Sequence, residues 1–113
     1  MAKVFGITRL ELKPGVTAEE LEKFWKEEMP SYDLASEHTF HLLKGIRGER
    51  EGQYTFMYEV ESIERYNRNF TTDGQQSEED KQFDDAHPEN QKLKDKFETL
   101  VSEIGLTDYV ELD

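Results

Sequence analysis

Residues 51–62, EGQYTFMYEVES, alternate without a break. Tyr54, Phe56, Tyr58 and Val60 fall on one side of an extended chain, and Thr55, Met57, Glu59 and Glu61 on the other. Successive side chains of a strand point to opposite faces, so one face is aromatic and the other mixed. Such a strand belongs to an antiparallel sheet with helices on one side and something else, water, ligand or another subunit, on the other.

The flanking sequence supplies the rest of that sheet. Upstream, TFHLLKGIR (39–47) reads as a strand whose more apolar set is Phe40, Leu42, Lys44 and Ile46. The short link GEREG (48–52), with a glycine at each end, predicts a hairpin between the two strands. Further back, KVFGITRLEL (3–12) is strand-like and stops at Pro14-Gly15, a turn signal. Its two alternate sets are comparably apolar, so its inward face is open. Between these strands, VTAEELEKFWKEEM (16–29) predicts a helix. Thr17 is a good N-cap with Glu20 at the capping-box position, and Leu21, Phe24, Trp25 and Met29 make an apolar stripe. Pro30 then disfavours continuation.

Downstream, Ser62 caps a short helix, SIERYNRNF (62–70), with Ile63, Tyr66 and Phe70 on one side. Residues 71–87 are polar and acidic and read as a loop or lid. Pro88 opens a last helix with an apolar stripe of Leu93, Phe97, Leu100, Val101 and Ile104, closed by Gly105. TDYVELD (107–113) reads as a closing strand. The order β-α-β-β-α-β predicts a single α+β domain of ferredoxin-like type, an antiparallel sheet with its helices on one face.

Composition narrows the functions. The 113-residue chain has one domain's length and carries 26 acidic against 14 basic residues, a net charge of −12. That potential repels phosphate backbones and anionic lipid, so neither nucleic acid nor membrane is an expected partner. The chain has no cysteine, which excludes disulfides and thiolate chemistry. The start enters strand-like alternation at once, with no apolar leader, and a cytoplasmic location is the expectation.

Two stretches resemble a known family. TRLELKPGVTAEELEKFWKE (8–27) is similar to the first strand, Lys-Pro-Gly turn and first helix of the dimeric α/β-barrel superfamily, in particular its antibiotic-biosynthesis-monooxygenase-like members. GQYTFMYEVESIERYNRNF (52–70) resembles the third strand and following helix of that group. The resemblance implies a homodimer, two sheets packed face to face as a barrel with a cavity in each subunit. It also implies a small organic ligand, aromatic or polyketide-like, with cofactor-free monooxygenase or isomerase chemistry as an alternative. The chain departs from the group's pattern at Asn69, near which members often carry a histidine, and in the length of its 71–87 segment.

Candidate site residues follow from the alternation. His41 lies with Arg47, Met57 and Glu59 on the mixed face, the face expected to look onto a second sheet or into an enclosed, partly polar cavity, and an imidazole beside a carboxylate is suited to acid-base work near neutral pH. Arg47, or Arg9 if it shares that face, would hold an anion through its planar fork. Tyr58, Trp25 and Tyr32 would wall a pocket. Equally, His41 and Glu59 make an ordinary cross-strand pair at an interface, and the protein is then a non-catalytic dimeric module. His38 and His41, three apart on a strand, point to opposite faces and make no metal pair, and no cofactor is implied.

Overall fold

The computed structural model describes residues 2–35, 37–70 and 75–112. Strands β1 (Val4–Leu12), β2 (His38–Lys44), β3 (Tyr54–Val60) and β4 (Val101–Val110) form one antiparallel sheet in the order β2-β3-β1-β4. Helix α1 (Ala18–Glu27) and a 3-10 turn (Met29–Ser31) join β1 to β2. Helices α2 (Ile63–Asn67), α3 (Glu78–Asp85) and α4 (Pro88–Leu100) lie between β3 and β4. The architecture is α+β and compatible with a ferredoxin-like arrangement. No helix among the described residues is long and apolar enough to cross a membrane.

The first helix forms where its local signals place it. Thr17 Oγ1 accepts the Glu20 backbone N–H at 3.2 Å, filling one of the open donors of the first turn. Leu21 and Phe24 are then driven into the core, 0% and 2% exposed. Phe24 stacks on Phe97 of α4 at 6.2 Å between ring centroids, tying the two long helices together. Beneath them lie Leu10 and Tyr54 of the sheet, with Leu100 and Val101 at the α4–β4 junction.

Register settles the face of β1, which its own sequence leaves open. Val4 pairs with Val60, Gly6 with Tyr58, Thr8 with Phe56 and Leu10 with Tyr54. Those β1 residues therefore face the helices with the aromatic set of β3. Phe5, Ile7 and Arg9 face the other way, opposite Glu59, Met57 and Thr55. His41 pairs with Met57 and Leu43 with Thr55, so they share this second face.

Three expectations are corrected. Strand β2 ends at Lys44, so Ile46 is not on the helix face but 87% exposed in the β2–β3 connection. Part of the 71–87 segment is helix α3: Ser77 caps it by accepting the Asp80 N–H at 3.2 Å, and three acidic residues occupy its favourable first turn. Residues 71–74 of that segment lie outside the described residues. Helix α4 stops at Leu100, and Val101 passes directly into a strand. Gly105, at φ +64°, is not a helix terminator. It is the extra residue of a bulge in β4, where the pairing steps from Thr8–Leu106 to Arg9–Ile104.

Candidate functional site

Between the helix layer and the sheet the core does not close. A cavity of about 300 Å³ opens there, its walls mainly aromatic. Trp25 from α1, Phe56 from β3 and Phe97 from α4 meet at 6.0–6.1 Å in edge-on and tilted contacts. Phe40 of β2 stands 5.2 Å from both Phe56 and Tyr32, extending the aromatic wall.

Tyr32 takes its place because the chain is held on either side of it. Pro30 ends α1 through the 3-10 turn, and Tyr32 follows in extended conformation. Asn90 of α4, 3% exposed, then clips the next residue. Its Oδ1 accepts the Asp33 N–H at 2.9 Å, and its Nδ2 donates to the Asp33 carbonyl at 2.7 Å. Burial raises the Tyr32 phenol above its ordinary value, opposed in part by Lys94. Burial lowers Lys94, but Tyr32, Asp84 and Asp80 together carry it above the usual lysine value. The ammonium is thus held charged at the cleft wall.

A second cavity of about 250 Å³ shares Tyr32, Phe40 and Lys94 with the first. It carries most of the polar groups. Arg65, 8% exposed, donates from Nη1 to Asn69 Oδ1 at 2.9 Å. A guanidinium only donates, so the Asn69 amide nitrogen is turned toward His38 Nε2. The Asn69 amide thus links the buried guanidinium to the imidazole across the cavity wall. Glu37 lies 4.0 Å from Arg65 Nε as its nearest carboxylate contact.

Beside this chain of contacts, Tyr58 crosses the sheet. Gly6 sits in register between Tyr58 and Asp108. A Cβ there would stand 1.9 Å from the Tyr58 ring, so the ring lies where a side chain would otherwise be. Tyr58 Oη donates to Asp108 Oδ1 at 2.6 Å, and Tyr66 of α2 donates to Asp108 Oδ2. Burial, then this donation, pushes the Tyr58 phenol far up and the Tyr66 phenol up to about 12. The carboxylate locks both rings on the helix side.

The expected site residues divide between the two faces. Trp25 and Tyr32 line the first cavity, and Tyr32 and Tyr58 the second beside it. His41, Met57 and Glu59 lie on the opposite face of the sheet. There His41 Nε2 stands 3.6 Å from Glu59 Oε1, beyond hydrogen-bond reach, while Lys3 binds the other Glu59 oxygen at 3.1 Å. Arg9 shares that face. Arg47 sits past the end of β2, exposed in the connection. His41 and Tyr58 therefore do not serve one pocket.

Sequence reasoning passed over His38, Asn69, Lys94, Asp80 and Asp84, all of which line the second cavity. His38 was findable, because it shares the parity of Phe40 and Leu42 on β2. Asn69 was marked by the place where a histidine is expected. The two aspartates depend on α3, whose only local signal is Ser77 followed by acidic residues. No family model, curated protein or solved structure matches this chain.

Proposed function

We propose that the chain is a ferredoxin-like domain of dimeric α/β-barrel type that binds a small organic molecule, aromatic or polyketide-like, in the cleft between helices and sheet. The aromatic cavity of about 300 Å³ carries this reading. Ligand sites are concave, largely apolar and supplied with a few polar groups, and this volume is at the lower end of their usual range. The strand order β2-β3-β1-β4, with every neighbour antiparallel, supports the split βαβ topology.

The uncovered face of the sheet supports self-association. Leu43, Ile104 and Tyr109 are 43%, 41% and 52% exposed, and Phe5, Ile7 and Met57 are half-buried beside them. Lys3 and Arg9 offset Glu59 and Glu11 on that face, so most of the chain's negative charge lies elsewhere. A second copy can approach there with little repulsion. The proposal stops at binding, because the expected acid-base residue, His41, stands on the side of the sheet away from the cleft.

Trp25 is the only tryptophan, so its emission reports on the cleft alone. Titration with dansylamide, a neutral aromatic energy acceptor, should quench it in a saturable way. Leu93→Phe, which fills the cavity, should abolish saturation while leaving the thermal transition in place. Emission that declines only linearly up to millimolar probe would refute the ligand site.

A further inference from the structure

We infer that the two adjacent cavities together select an organic cation, an aromatic or hydrophobic amine whose ammonium sits between α3 and α4 and whose rings enter the aromatic cleft. This rests on the binding proposed above and names its ligand class. The charges around the two cavities are strongly one-sided. Asp33, Asp80 and Asp84 line the second cavity and Glu98 and Glu103 the first, with Lys94 the single ammonium or guanidinium among the described residues lining either.

The aspartates are hydrogen-bonded yet not neutralised. Gln76 Nε2 donates to Asp80 Oδ2 and to Asp84 Oδ2, each at 2.7 Å. A neutral amide satisfies lone pairs without cancelling charge. Lys94 Nζ stands 3.9 Å from Asp84 Oδ2, the longer edge of an ion pair. Asp80 lies in the first turn of α3, at the positive end of the helix. Two carboxylates thus face a cavity with one ammonium between them.

The rest of the wall suits the same ligand. Phe40, Phe70, Phe83 and the two tyrosines, Tyr32 and Tyr58, present ring surface to the second cavity. Ring faces attract a cation, more strongly where water is excluded. An anionic head group would instead meet five carboxylates, and the net charge of −12 would oppose its approach. The anion that Arg47 was expected to hold finds no guanidinium among the described residues of the lining.

The test is calorimetric titration of the full chain with three molecules of one shape: 1-naphthylmethylammonium, 1-naphthylmethanol and 1-naphthoate. The ammonium should bind about tenfold more tightly than the alcohol, with a gap that narrows at high salt, and the naphthoate should bind weakest. Asp80→Asn combined with Asp84→Asn keeps acceptors for Gln76 and should erase the ammonium's advantage while leaving alcohol affinity unchanged. Lys94→Gln should act with the opposite sign, tightening ammonium binding, which a merely structural role for these residues would not produce. Equal binding of ammonium and alcohol, or tightest binding of the naphthoate, would overturn the cation inference and leave the ligand site standing. Absence of binding by all three would overturn the ligand site itself, and this inference with it.

Discussion

The two faces of one sheet are built from alternate residues of the same strands and have opposite characters. On the helix side, Leu10, Tyr54 and Val60 are nearly closed to solvent and the rings beside them leave a cavity. On the other side, no described helix packs, and Leu43, His41, Met57 and Glu59 form a mixed, partly exposed surface. The contrast shows that a histidine–carboxylate pair, the most reactive-looking pattern in the sequence, is not where the enclosed volume is. Enclosure comes from the aromatic set, and the polar groups near it arrive from distant segments.

The contrast can be broken from either side. Phe24→Ala removes a buried ring that stacks on Phe97, and it should cost about 3–5 kcal/mol in urea unfolding. Ile7→Glu on the open face should leave monomer stability within about 1.5 kcal/mol, yet convert the proposed dimer to monomer at low micromolar concentration. Sedimentation equilibrium reads this out. A wild-type chain that is already monomeric would remove the barrel proposal and leave the cleft untouched.

Gly6→Ala probes the covered face more finely. The added Cβ must displace the Tyr58 ring, breaking its bond to Asp108, and about 1–3 kcal/mol of destabilisation is expected. The same cluster gives an alkaline signature. Tyr66 ionises at about 12 when folded, against about 10 in an unfolded chain. The raised value stabilises the fold fully below about pH 10, and that contribution is lost as the pH climbs toward about 12. The urea midpoint should therefore fall between about pH 10 and about pH 12, and Tyr66→Phe should flatten that fall.

The smallest effect belongs to the open face. His41→Ala should change stability by no more than about 1 kcal/mol, since the partner oxygen lies at 3.6 Å in a half-buried pair without a hydrogen bond. Titration of Trp25 fluorescence should give the same ligand affinity before and after the substitution. A large loss of ligand affinity would mean that the two faces communicate through the sheet.

Much of this was legible locally. The Thr17 cap and the Leu21–Phe24 stripe specify α1, the glycine-flanked link specifies the β2–β3 hairpin, and Ser62 marks the start of α2. The aromatic parity of β3 names the helix side without any tertiary information. What stayed hidden depends on partners far away in the chain. The face of β1 is decided by pairing with β3 and β4, because its two sets are equally apolar. The end of α4 is decided likewise: Val101–Ile104 continues the helical spacing, yet β1 offers those residues a ladder of backbone hydrogen bonds. Helix α3 has almost no apolar stripe and rests on α4 through side chains that no local pattern announces. The site is the extreme case. Periodicity assigns Trp25, Tyr32, Tyr58 and Lys94 to four separate segments, and only the packing of those segments brings them round two adjacent cavities, because a cavity belongs to the space between elements and to none of them singly.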